Sequence, residues 1–384
     1  MQYQLPKNTH DVARSINSQI NTLESRQNNP IVNSRPLYVG LDISSVCNIK
    51  CIFCVADPGR KKQSDADAFC PADWIEHFEP VLPFVRHVIF SSFEAILNPH
   101  LPVFIDSLRC FHTPFQLFSN GLGLDQHLSQ HLLDNGMTSL WCSFHGAREK
   151  TYQSIMKGSN YETVLGNLLA IKQHVRRRQL PFELTLVYCA MRRTLPELPA
   201  FVDIAHRLGA SAIQVNYLLV TKPDPRMERE SPFFHQDLYD YNVLTAKIKG
   251  AKLGVDVRHQ PLFSDTPPDA PAPCRRPWEH LNVNRTGQVQ ICCGGSPILG
   301  NMFEEGFSRM WNSPAMARFR SRVNSDDPPA ACRKCTRGRE DPKDIESHLT
   351  YLRSLPEEAR QEHLRRLLGD APGAEEAARL KRAC

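Results

Sequence analysis

The chain is expected to be an α/β protein built on a parallel sheet, followed by a smaller α+β unit and a helical tail. Three observations predict this. Six short apolar runs alternate with helix-like stretches between residues 37 and 218. Residues 265–273, which include Pro267, Pro268, Pro271 and Pro273, then break the pattern with a semi-rigid, extended segment. A strand–turn–strand signal centred on Arg285-Thr286-Gly287 follows that break.

Residues 1–35 are polar, with helical turns around 12–23, and read as an N-terminal extension. The first strand is the apolar run 37–43; the others are 85–90, 114–118, 139–143, 182–188 and 212–218. Helices are expected at 72–81, 101–110, 125–135, 161–177 and 195–208, with Gly136 and Gly209 where C-caps belong. Strand–helix alternation of this kind folds with right-handed crossovers. A further helix (237–249) and strand (254–258) complete a first domain over 36–264. Beyond the 265–273 linker, strands at 281–284 and 288–291 and a helix at 313–323 make a second unit, 274–341. The tail, 342–384, is charged, with Ile345, Leu349 and Leu352 on one helical face.

At 384 residues there is room for two or three domains of ~150 residues each. A 41% hydrophobic and 23% charged composition is ordinary globular usage and excludes disorder for the bulk of the chain. The net charge of +5 is small for this length and gives no warrant for a nucleic-acid or membrane partner. No run reaches the ~18 uncharged apolar residues of a membrane span, and the first residues lack the apolar core of a secretory signal. A cytoplasmic location is expected.

Thirteen cysteines in such a chain point to metal rather than disulfides. Cys47, Cys51 and Cys54 are spaced C-x3-C-x2-C directly after the first strand, on the loop at its C-terminal end. In parallel barrels that end carries the chemistry. A structural zinc site takes four ligands and is closed. A four-iron cluster on three thiolates keeps one iron open. Three buried cysteines, or a zinc completed by a distant histidine, are the alternatives.

With Phe53 in the position before the third cysteine, the motif resembles the signature of the radical S-adenosylmethionine (radical SAM) enzymes. The resemblance spans about residues 37–218. It implies a partial (β/α)6 TIM-like barrel and a [4Fe–4S] cluster on Cys47, Cys51 and Cys54. SAM would bind the open iron and be cleaved reductively to a 5′-deoxyadenosyl radical that takes hydrogen from a substrate. The resemblance also implies SAM contacts. Ser92-Phe93-Glu94-Ala95 stands where the family has Gly-Gly-Glu-Pro; Glu94 fits, while both glycines and the proline are missing. Ser119-Asn120-Gly121 resembles the family's Thr-Asn-Gly, Ser143 its strand-end serine, and Arg192 a basic residue for the SAM carboxylate. Ile213 stands where the sixth strand supplies an apolar contact to adenine.

Cys274, Gly287 and Cys292 (C-x12-G-x4-C) with Cys332 and Cys335 (C-x2-C) resemble the SPASM/twitch extension of the same family. Asp341 occupies the place of the next cysteine, as in the shorter twitch form of the aminocyclitol dehydrogenase subgroup. The resemblance implies one auxiliary [4Fe–4S] cluster on those four thiolates. A zinc ribbon uses the same ligands, and Cys293 is the alternative to Cys292. Cys142 and Cys189 are candidate hydrogen donors if they face the barrel interior, and buried structural thiols otherwise.

The expected function is oxidation or rearrangement of a small polar metabolite in natural-product biosynthesis. Radical modification of a ribosomal peptide or protein side chain is the alternative, and a non-catalytic zinc or Fe–S protein a third. A flavodoxin- or ferredoxin-type electron donor is the expected partner, with a small molecule or peptide as substrate.

Overall fold

The structure, a computed structural model, describes residues 7–54, 68–91, 93–266, 272–292, 296–333 and 342–368. Ser92, Cys293, Cys335, Asp341 and most of the 265–273 linker lie outside the described residues. The strands are β1 (Tyr38–Leu41), β2 (Lys50–Cys51), β3 (His87–Phe90), β4 (Phe115–Ser119), β5 (Met137–Ser143) and β6 (Met156–Lys157). They continue with β7 (Glu183–Ala190), β8 (Ala212–Tyr217), β9 (Asp256–His259), β10 (His280–Val283) and β11 (Val289–Gln290).

Nine of them form one sheet in the order β11-β10-β1-β3-β4-β5-β7-β8-β9; β2 pairs with β6. Every neighbour pair from β10 to β9 is parallel, and β10–β11 is antiparallel. The six expected strands are β1, β3, β4, β5, β7 and β8, the centre of a partial TIM-like barrel. The helices between them start on side-chain caps where the sequence offers one: Asp125 accepts from the Leu128 N–H and Asn160 from the Thr163 N–H. Gly209 ends helix Leu198–Leu208 in the left-handed region. The stretch expected as a helix over 72–81 instead makes 3-10 turns, Ala72–Phe78 and Leu82–Phe84. Pro80 and Pro83 lack the N–H groups that would carry an α-helix onward.

The sheet outgrows six strands at both edges. β9 adds beside β8, and β10 pairs with β1 from Tyr38↔His280 to Leu41↔Val283. The hairpin expected in a separate unit is thus a continuation of the barrel sheet. A Cβ at Gly40 would stand 2.2 Å from Asn282 Oδ1, so glycine is what lets β1 and β10 approach here.

The side chains obey the two-residue period of a strand. On β8, Ile213, Val215 and Tyr217 are buried, and Tyr217 packs on Tyr239 of helix Gln236–Leu253 with centroids 5.1 Å apart. On β7 the same layer takes Tyr188, packed on Phe201 at 4.7 Å. The alternate residues face the barrel interior.

The N-terminal extension is helical over Lys7–Arg26. It is bound to the C-terminal half: Asn21 Nδ2 donates to the Trp278 carbonyl at 2.6 Å, and the Trp311 indole donates to the Ser34 carbonyl at 2.9 Å. The buried Arg320 joins them, donating to the Pro277, Pro30 and Trp311 carbonyls. In the tail, Ile345, Leu349 and Leu352 are fully buried. Tail and post-β8 loop exchange two backbone bonds, Val220 N–H to the His348 carbonyl (3.2 Å) and Tyr351 N–H to the Val220 carbonyl (3.4 Å).

Candidate functional site

Because the strands are parallel, the loops after β1, β3, β4, β5, β7 and β8 gather at one end of the sheet. Cys47, Cys51 and Cys54 lie half-buried on the loop after β1. Its backbone is fixed from both sides. Ser45 N–H donates to the Ala68 carbonyl (2.8 Å), Cys51 pairs with Met156 in the β2–β6 ladder, and Ile52 N–H donates to the Ile155 carbonyl (3.0 Å). Among the described residues no three His, Cys, Asp or Glu side chains converge on the coordination sphere of a single metal ion. The donor set, three thiols on one pinned loop, fits a cluster held by three cysteines.

Glu94 is completely buried behind this loop. Its carboxylate accepts from Ser119 Oγ (2.7 Å) and the Asn120 N–H (2.8 Å), and its own N–H donates to the Val46 carbonyl (3.0 Å). Burial pushes its pKa up to about 7 against the pull of those two hydrogen bonds. Asn120 passes the contact on: its Nδ2 donates to Asn48 Oδ1 at 2.8 Å and lies 3.8 Å from Cys47 Sγ. Glu94, Asn120 and Cys47 therefore form one chain from barrel to thiol. Beside Glu94, Phe93 holds φ 46°, the left-handed region that favours glycine. The backbone keeps a turn suited to glycine although the glycines are missing.

Phe53 packs edge-on against His145, ring centroids 4.9 Å apart. His145 Nδ1 accepts from the Cys189 N–H at 3.0 Å, so its proton is on Nε2, and burial lowers its pKa to about 3. Ser143 is half-buried on the interior face of β5. Arg192 is exposed on the loop after β7, 3.8 Å from Glu230 Oε1. Glu230 holds that loop, accepting from the Arg193 N–H and guanidinium at 3.0 Å each and, through its carbonyl, from the Arg192 N–H at 2.9 Å.

Ile213 is not brought to this group. It is fully buried on the helix-packed face of β8, while Gln214 and Asn216 take the interior face. The alternation Ile-Gln-Val-Asn-Tyr already carried that signal, apolar to the helices and polar to the interior. Cys142 likewise faces the helix layer, its Sγ 3.0 Å from a Cβ placed on Gly121 beside Val164. Cys189 alternates with Tyr188 and faces the interior, where burial pushes its thiol pKa up.

Of the second cysteine set, Cys274 precedes β10 and Cys292 follows β11 in the chain, and both are half-buried, as is Cys332. Asn324 clamps the Cys274 peptide from both ends, accepting from its N–H (2.8 Å) and donating to its carbonyl (3.1 Å). Ser296 Oγ accepts from the Cys292 N–H at 3.3 Å, and Cys332 N–H donates to the Pro329 carbonyl at 2.7 Å. Cys335 lies outside the described residues. Asn48, Glu230, Ser296 and Asn324 were not singled out by sequence reasoning. Asn48 stands inside the first motif, but Asn324 is fifty positions from its cysteine and gives no local signal.

Comparison with known proteins bears on this arrangement. Residues 41–193 match the radical SAM superfamily model, and residues 274–336 match the SPASM iron–sulfur cluster-binding domain. The curated "Probable GTP 3′,8-cyclase" of Methanococcus maripaludis strain C7 is 26% identical over 201 residues, 52% of this chain and 62% of that protein. The chain thus spans about three-fifths of the length of the curated relatives it matches. Among solved structures, Streptococcus suis SuiB bound to precursor peptide SuiA superposes with a TM-score of 0.60 at 15% identity, covering 85% of this chain and 76% of that one. Native anSMEcpe with bound AdoMet gives 0.56 at 15% identity, covering 87% and 97%. These likenesses show a shared fold. No helix among the described residues is long and apolar enough to cross a membrane.

Proposed function

Because this chain belongs to the radical SAM superfamily and carries a SPASM iron–sulfur domain, we propose that it abstracts hydrogen from a small polar metabolite and oxidises or rearranges it, in the cytoplasm. When bound and reduced, the cluster with its SAM supplies a 5′-deoxyadenosyl radical; the protein orients, shields and tunes. The observation that carries the reading is the pinned three-thiol loop after β1, with Asn120 Nδ2 3.8 Å from Cys47 Sγ and Glu94 behind it.

Cys47, Cys51 and Cys54 would hold the cluster. Asn120 would donate to the Cys47 sulfur, and such hydrogen bonds adjust cluster potentials. Phe53, Ser92, Glu94, Ser119, Asn120, Ser143 and Arg192 make up the proposed surroundings of SAM. Arg192 suits a carboxylate, being held only loosely by Glu230. An ammonium beside Glu94 would favour its ionised form and offset its burial. Cys274, Cys292, Cys332 and Cys335 would hold an auxiliary cluster that takes the electron left by oxidation. A flavodoxin- or ferredoxin-type protein is the proposed donor.

The test is iron and sulfide per chain after anaerobic reconstitution, with deoxyadenosine released from SAM under dithionite. Two four-iron clusters predict ~8 iron in the native chain and ~4 in the variant Cys47→Ala/Cys51→Ala/Cys54→Ala. Only the native chain should release deoxyadenosine. A variant holding zinc and no iron would remove the electron acceptor, and with it the oxidation. Both sites loaded without SAM cleavage would leave a non-catalytic binding protein. A second reading, radical modification of a peptide, is supported by SuiB, whose solved structure holds a precursor peptide.

A further inference from the structure

Helix Gln236–Leu253 follows β8 and packs on β9, the last strand of the sheet. A Cβ at Gly250 would stand 2.8 Å from Val257 Cγ2, so glycine lets this helix sit close against the strand. Tyr239, Asn242, Val243, Ala246 and Gly250 make its buried face. On one flank Lys249 pairs with Asp203 of helix Leu198–Leu208 at 2.5 Å, and on the other Lys247 reaches His259 of β9 at 3.1 Å.

The face turned away from the sheet is apolar too. Tyr241, Leu244 and Ile248 are 69%, 43% and 62% exposed. Spaced three and four apart, they fall on one stripe about 60° wide. Single exposed apolar side chains are ordinary, but three in line on one helix are a surface. The neighbouring helix Leu198–Leu208 exposes only Ala200, His206 and Arg207. A helix with one buried face carries polar residues on the other, whereas a helix apolar on both is covered on both.

The ends of the stripe indicate what covers it. Asp237 stands in the first turn and Lys252 in the last, both exposed and neither with an ion-pair partner among the described residues. Turned end for end about a two-fold axis between Leu244 and Thr245, the pattern matches itself. Tyr241 then lies opposite Ile248 of a second copy, and Asp237 opposite Lys252 of that copy. A two-fold interface has to be self-complementary in this way. Antiparallel helix dipoles favour the same arrangement. A partner surface of one charge sign would match only one end of the stripe.

We infer that this face docks a second copy of the chain, the two Gln236–Leu253 helices packing antiparallel about that axis. Its 18 residues span about 27 Å. A contact of that length falls short of the ~800 Å² per partner of a standard interface, so dissociation in the micromolar range is expected.

The test is sedimentation velocity of the reconstituted chain from about 1 to about 200 µM, a range that brackets such a dissociation constant. Anaerobic, reducing buffer excludes disulfide-linked pairs. The native chain should pass from monomer to dimer across that range. Ile248→Glu buries a charge in the contact and should weaken association at least about tenfold. Asp237→Lys and Lys252→Asp should each weaken it at least about fivefold, since each sets like charges opposite one another twice in the dimer. An equimolar mixture of those two variants should recover the native affinity within about threefold, because both contacts of the mixed dimer again join opposite charges. All three positions are exposed, and unchanged urea midpoints verify the fold of each variant. The inference is overturned if the native chain stays monomeric throughout, if a dimer forms that Ile248→Glu leaves intact, or if the mixture associates no better than either variant alone. A monomeric chain that instead binds a flavodoxin, with Ile248→Glu abolishing the binding, would give the face to the electron donor and overturn the second copy as its occupant.

Discussion

Glu94→Gln isolates the buried carboxylate behind the cysteine loop. Glu94 has a pKa raised by burial from 4.5 to about 7. A raised carboxyl pKa means the folded chain binds the proton more tightly than the unfolded chain. Stability is then greatest below pH 4.5 and falls as pH rises through 7. At about 1.4 kcal/mol per pH unit the gap is worth about 3 kcal/mol, of which about 2.5 kcal/mol falls between pH 5 and pH 8. Glutamine keeps an acceptor for the Asn120 N–H and has nothing to ionise. In anaerobic urea unfolding of the cluster-loaded, SAM-free chain, the native protein should lose about 2 to 3 kcal/mol more than Glu94→Gln over that pH range. All other titrating groups cancel in the difference. Adding SAM should flatten the native curve if an ammonium reaches Glu94. Parallel pH profiles without SAM would refute the reasoning.

Three further outcomes follow from neighbouring contacts. Asn120→Ala removes the donor near Cys47 Sγ and should lower the cluster's reduction potential by tens of millivolts, read by EPR-monitored redox titration. Asn324→Ala breaks both bonds to the Cys274 peptide; a stability loss of about 1–3 kcal/mol is expected, with iron lost selectively from the auxiliary site on gel filtration. Phe93→Gly relieves the left-handed φ of 46° and should raise the unfolding free energy by up to about 1 kcal/mol, seen as a higher urea midpoint at unchanged slope.

The strands of the barrel were legible because each is a short apolar run between polar stretches, and β1, β3, β4, β5, β7 and β8 fall on the runs. Their parallel pairing followed from the intervening helices. The edges were not legible. Nothing local in His280–Val283 says that it will lie beside Tyr38–Leu41, since sheet pairing depends on contacts between residues far apart in sequence. The site divides the same way. Cys47, Cys51, Cys54, Glu94 and Asn120 stand in local motifs, and the structure gathers the loops that carry them. Asn324 and Glu230 reach their targets through folding alone. Ile213 was placed by analogy with a strand position, where the alternation along β8 would have turned it outward.

The pairing of β1 with β10 has a consequence for how the molecule comes into being. As the chain leaves the ribosome, residues 38–41 wait with one side uncovered until residues 280–283 emerge. Contacts of such long sequence separation form late. An unpaired parallel strand is meanwhile a template for the wrong partner. The cysteine loop hangs from the end of that strand, so its final shape depends on synthesis of the hairpin. A polypeptide cut at the proline-rich segment would carry the first motif intact and still expose the edge of β1. The later-made strand thus completes the sheet edge from which the earlier cysteine loop hangs.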